Sequence, residues 1–71
     1  MPVLPMSWDY RVLRYDDGSF GIHEVYYYDG EPKQCTFDAA SIVWEEDEDP
    51  LWQMRQMQQA LEKPILNYED F

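Results

Sequence analysis

The chain has 71 residues, with fifteen acidic against five basic side chains, a net charge of -10 and a pI near 4.1. That length excludes a second domain, and at this size folding buries only ~60% of the surface that the unfolded chain exposes. The charge argues against direct binding to nucleic acid or to anionic membrane, while it raises encounter rates with basic partners. A 45% apolar and 17% aromatic content is too rich in core-forming side chains for a disordered tail.

Met1-Pro2-Val3-Leu4-Pro5-Met6 lacks the basic start and long apolar stretch of a secretion signal, and nowhere do ~18 apolar residues run together. Cys35 is the only cysteine, so an intramolecular disulfide and a four-cysteine zinc site are both excluded, and a reducing cytoplasm is the expected setting.

Trp8 to Tyr15 and Phe20 to Tyr28 are rich in aromatic and β-branched residues, and Asp16-Asp17-Gly18-Ser19 between them is a turn signal. The pattern predicts a β-hairpin. A two-residue Asp17-Gly18 turn would set Arg11 opposite Glu24 and Leu13 opposite Ile22. Tyr10, Val12, Val25 and Tyr27 would then share one face, and Leu13, Phe20, Ile22 and Tyr26 the other; either is apolar enough to be the core side. Tyr28-Asp29-Gly30-Glu31-Pro32 is a second turn signal, followed by a predicted strand from Lys33 to Phe37 that tolerates Pro32 at its beginning.

Ala39-Ala40-Ser41-Ile42-Val43-Trp44 reads equally as a helical turn or a fourth short strand. Beyond it, Asp49 is a candidate N-cap, Pro50 suits a first helical position, and Leu51, Met54, Met57 or Gln58, and Leu61 recur at helical spacing until Pro64. The tail from Ile65 to Phe71 carries enough apolar side chains to dock on the domain. The expected fold is therefore α+β: a small antiparallel meander of three or four strands packed with one C-terminal amphipathic helix.

Glu45-Glu46-Asp47-Glu48-Asp49 is the most conspicuous feature. Acids ahead of a helix satisfy its unpaired N–H groups and oppose its dipole, but that effect fades within a turn and leaves Glu45 and Glu46 unexplained. In an extended chain, carboxylates advance ~3.3 Å per residue, close to the ~3.4 Å repeat of phosphates along one DNA strand. In a meander, the start of this segment lies toward Asp16 and Asp17, which together with the run would make one anionic end. Trp44 and Trp52 bracket the acids; Trp44 is expected in the core, whereas Trp52 reads equally as core or as an interface anchor.

No catalytic constellation accompanies these residues. His23-Glu24 lacks the second histidine of a zinc-protease helix, since Tyr27 stands there, and His23 is expected to be a packed or hydrogen-bonded strand residue. Ser7, Ser19, Ser41 and Cys35 have no recognisable nucleophile setting. The acidic run lacks the alternating ligands and mid-loop glycine of an EF-hand, so neither a dedicated metal site nor a cofactor is expected.

Tyr10-Arg11-Val12-Leu13-Arg14, Asp17-Gly18-Ser19-Phe20-Gly21-Ile22-His23-Glu24-Val25-Tyr26-Tyr27 and Ala60-Leu61-Glu62-Lys63-Pro64-Ile65-Leu66 together resemble a family of small uncharacterised bacterial and mobile-element proteins. In size and acidity the chain is also similar to anti-CRISPR proteins, several of which are compact decoys for DNA. That similarity implies a non-enzymatic inhibitor that occupies the DNA-gripping groove of a type I Cascade complex; the residues themselves offer Glu45, Glu46, Asp47, Glu48 and Asp49, with Asp16, Asp17 and Trp52, as its contact surface, and a monomer is expected. The alternative from the residues themselves is a small adaptor or regulator that binds one protein partner through an aromatic surface.

Overall fold

The computed structural model describes residues 7–71; the reading of Met1 to Met6 falls outside the described residues. The fold is α+β, with strands β1 (Ser7–Arg14), β2 (Phe20–Tyr28) and β3 (Glu31–Cys35), helix α1 (Leu51–Ala60), strand β4 (Leu66–Asn67) and a final 3-10 turn, Tyr68–Asp70. The strands form one sheet in the order β3-β2-β1-β4.

Both Asp-Gly pairs make turns, of different lengths. At the second, Asp29 (φ 54°) and Gly30 (φ 79°) are both left-handed and Tyr28 pairs with Glu31, which is the two-residue loop whose twist suits a hairpin. At the first, the Tyr15 N–H donates to the Ser19 carbonyl at 2.9 Å and the Gly18 N–H to the Tyr15 carbonyl at 3.0 Å, with Gly18 at φ 87°. The loop is therefore Asp16-Asp17-Gly18, one residue longer than expected. Asp17 Oδ1 holds it by accepting from the Ser19 N–H at 2.9 Å and the Ser19 hydroxyl at 2.6 Å.

That extra residue slides the register by one. Arg11 lies opposite His23, Val12 opposite Ile22 and Leu13 opposite Gly21, so the expected Arg11–Glu24 and Leu13–Ile22 pairs do not form. Because side chains alternate, the slip also exchanges the faces of β2 relative to β1. Tyr10 and Val12 share a side with Ile22 and Tyr26, whereas Leu13 shares the other with His23, Val25 and Tyr27.

β3 begins two residues earlier than the predicted Lys33 to Phe37 strand and is bulged: Tyr26 faces Gln34 and Tyr27 faces Pro32, leaving Lys33 unmatched. Pro32 is tolerated because β3 is an edge strand. Ala39 to Trp44 is neither helix nor strand, although the Ala40 N–H still reaches the Ile22 carbonyl at 2.7 Å. The fourth strand comes instead from the docked tail, where Leu66 and Asn67 pair in parallel with Leu13 and Arg14. The sheet is thus mixed rather than a pure meander.

α1 starts as its sequence suggests. Pro50 already has helical backbone angles, and the Leu51 N–H donates to Asp49 Oδ1 at 2.9 Å. The helix ends at Ala60, ahead of Pro64, through tightened turns in which Leu61, Glu62 and Lys63 donate to the carbonyls three residues back. Its buried face differs from the expected stripe. Met57 and Ala60 pack on Tyr10 and Val12, with Ile22 and Ala40 at the margin, while Leu51, Met54 and Leu61 are exposed. A small alanine at the contact lets the helix lie on the sheet without using those longer side chains.

The other side of the sheet is also core. Leu13, His23 and Val25 are 0% exposed there. The rings of Tyr15 and Tyr68 close over His23, with centroids 5.7 and 5.5 Å from the imidazole and 5.6 Å from each other. His23 Nδ1 lies 2.9 Å from the Thr36 carbonyl, which only accepts, so Nδ1 carries the proton and Nε2 accepts from the Tyr15 hydroxyl in the neutral ring. Gly21 makes room for this arrangement, since a Cβ there would collide with the Tyr15 hydroxyl. His23 is the hydrogen-bonded strand residue that the sequence suggests.

A polar network on the same side ties the post-helix segment to β1. Arg11 donates to the Tyr27 hydroxyl at 2.8 Å and to the Pro64 carbonyl at 2.7 Å; Tyr27 donates to Asp9, which also takes Lys63 Nζ at 2.6 Å. Burial, and then the bond to Asp9, raise the Tyr27 phenol above its ordinary value. Among the described residues no helix is long and apolar enough to cross a membrane.

Candidate functional site

The acidic run sits between the irregular segment after β3 and the start of α1, and its five residues are exposed. It is not extended. Glu45 to Glu48 forms a turn in which the Glu48 N–H donates to the Glu45 carbonyl at 2.9 Å, and the Glu48 carboxylate returns to accept the Glu45 N–H at 3.0 Å. Asp49 caps the helix. The phosphate-like spacing of an extended chain therefore does not apply; the turn gathers charge instead.

Carboxylate oxygens of Glu45, Asp47 and Glu48 converge within 4.8 Å of one another. Such an oxygen-only group attracts Lys or Arg side chains, or a hydrated hard cation. Remaining in solvent, the three charges keep their hydration, which limits the repulsion that so close a grouping would otherwise cause.

Asp16 and Asp17 lie at the β1–β2 loop and make different contacts. The Ser19 hydroxyl, and then its backbone N–H, hold the Asp17 carboxyl below its ordinary value of 3.8. Asp16 meets the tail: its carboxylate beside Glu69 raises the Glu69 carboxyl above its ordinary value of 4.5. No hydrogen bond joins Asp16 or Asp17 to the acidic run among the described residues.

The tryptophans stand outside the core. Trp44 is 48% exposed, contrary to the expectation that it fills the interior, and Trp52 is 63% exposed. The helix-to-sheet contact is completed by Met57 and Ala60, which leaves no internal place for either indole. Val43 and Leu51 are exposed beside them in the chain, so apolar surface flanks the acids on both sides.

A residue that the sequence reading overlooked, Trp8, joins this surface. It lies on the helix side of β1, two residues from Tyr10, with the two rings edge to face at 5.3 Å. Trp8, Tyr10, Trp52 and Gln56 line a notch of about 220 Å³. The signal available in the sequence was the i, i+2 spacing of Trp8 and Tyr10, which puts both on one strand face.

A second groove, about 330 Å³, runs between β3 and the tail and is lined by Tyr26, Gln34, Cys35, Phe37, Tyr68 and Phe71, among others. Burial raises the Cys35 thiol above its ordinary value, which keeps it protonated and poorly nucleophilic.

Comparison with protein-family models, with curated proteins and with solved structures finds no match to this chain.

Proposed function

We propose that this chain is a non-enzymatic binding protein that blocks a basic, nucleic-acid-gripping protein surface by presenting an acidic turn flanked by aromatic side chains. The observation that carries the reading is the placement of Glu45 to Asp49: wholly on the surface, gathered by a turn, and followed directly by the exposed Leu51 and Trp52. Lys and Arg of the partner would pair with the carboxylates, and the indoles would supply the desolvated contact area that charge alone lacks. Imitation of DNA here lies in charge density rather than in phosphate spacing. A Cascade subunit of a type I CRISPR complex is one partner of this chemistry.

A net charge of -10 repels other copies of the chain, which favours action as a monomer, and the single cysteine suits a reducing cytoplasm. The reading is tested by capture from a CRISPR-bearing bacterial lysate at low and high salt, with double-stranded DNA as competitor. The expected partner is basic, released by salt and displaced by DNA. A partner that resists both contradicts the reading.

A second reading has its own support. Phe37 is 85% and Val43 78% exposed, and an adaptor could bind one partner mainly through such apolar side chains. Replacing Glu45, Glu46 and Glu48 by Gln and Asp47 by Asn separates the two. Charge-led binding is lost in the folded variant, whereas an aromatic interface survives.

A further inference from the structure

We propose that the notch formed by Trp8, Tyr10, Trp52 and Gln56 is a receptor for a single arginine side chain of the basic partner, an inference that rests on the function proposed above. The notch lies where β1 and the first turns of α1 meet, so its walls come from two elements locked together by the Tyr10–Val12–Met57–Ala60 core. At about 220 Å³ it is smaller than the ~300–1,000 Å³ sites that take drug-sized ligands. One long side chain fits that scale; a cofactor does not.

Its chemistry selects a cation. Two partly exposed indoles line it beside the largely buried Tyr10 ring, and tryptophan is the best aromatic partner for a cation. Arginine suits the site better than lysine, because a planar guanidinium stacks on a ring while its N–H groups point outward to acceptors such as the Gln56 side-chain carbonyl. The charge of the whole chain supplies complementarity: its field draws cationic groups to the surface. A second copy of this chain is disfavoured as occupant by the same charge, and an apolar peptide would gain nothing from it. Asp9 contributes to the wall of the notch, but its carboxylate is already engaged by Tyr27 and Lys63, so the site recognises cations through aromatic faces rather than through an ion pair.

The test is an NMR titration of the full chain with a short arginine-containing peptide, Gly-Arg-Gly-Arg-Gly, in parallel with the same peptide carrying uncharged citrulline or lysine. Saturable shifts of the Trp8 and Trp52 indole N–H signals are expected with the arginine peptide. The citrulline peptide is expected to leave them in place, and the lysine peptide to bind more weakly. Trp52→Ala, at an exposed position that leaves the core intact, should lower the arginine affinity about tenfold. Shifts confined to Glu45 to Asp49, with Trp8 and Trp52 unmoved, would overturn the notch and leave the basic-partner reading standing. Equal shifts with citrulline overturn it as well, and an absence of shifts anywhere overturns both readings.

Discussion

The two sides of the sheet are built to different standards. On one side, Leu13, His23 and Val25 are fully enclosed, every hydrogen-bonding group of the imidazole is satisfied, and the tail closes over it through Tyr68. On the other, α1 covers Tyr10 and Val12 with only Met57 and Ala60, and leaves Trp8, Trp44, Leu51, Trp52 and Met54 in solvent. The contrast is one of enclosure against exposure. The tail side is closed over a buried polar group; the helix side carries a small apolar core and leaves aromatic and acidic groups exposed, where the proposed function would use them.

Substitutions should break the two sides unequally. Leu13→Ala removes a fully buried side chain and is expected to cost about 3 kcal/mol, read as a lower denaturant midpoint. Gly21→Ala should follow, at about 1–3 kcal/mol, because its methyl displaces the Tyr15 hydroxyl from His23; the Tyr15→Phe background should soften that cost by removing the clashing oxygen. Asp49→Ala loses the bond to the Leu51 N–H and should cost about 1 kcal/mol, confined to α1 and visible as reduced helical circular dichroism. The quadruple change at Glu45 to Glu48 keeps an acceptor for the Glu45 N–H, so stability should move by no more than about 0.5 kcal/mol in either direction.

The smallest effects are those of pH on the β1–β2 loop. Asp17, held low by Ser19, stabilises the loop above pH 3.8, and that contribution disappears as pH falls through its depressed folded value. Glu69, held high by Asp16, acts in the opposite sense: docking of the tail is most favourable below pH 4.5 and weakens as pH rises through the raised folded value. Acidification should therefore lower the protection of the Ser19 amide, measured against its slower intrinsic exchange at low pH, while sharpening the Tyr68 resonances. Glu69→Gln should abolish the second response and leave the first.

Much of this was legible in the chain. Aromatic and β-branched content located β1 and β2, the Asp-Gly pairs located both turns, and Asp49-Pro50 announced the helix start. The register was not, because Asp16-Asp17-Gly18-Ser19 accommodates a two- or a three-residue loop, and the Asp17–Ser19 bonds that decide between them are made only once the loop closes. β4 escaped notice because a two-residue strand exists only through its parallel pairing with Leu13 and Arg14. Helical spacing favours the long side chains of Leu51, Met54 and Leu61, whereas the buried face is Met57 and Ala60. Of the site, the acids were plain to read. Their turn was not, since it depends on Glu48 reaching back to the Glu45 N–H.

The proposed function places binding in the charge gathered at Glu45 to Glu48. It is tested most directly by comparing the salt dependence of affinity for the captured partner between the native chain and the folded quadruple variant. The native chain should bind more tightly at low salt and lose affinity steeply as salt screens the contact, while the variant binds weakly with little dependence on salt. Equal affinities with equal salt dependence would contradict the account.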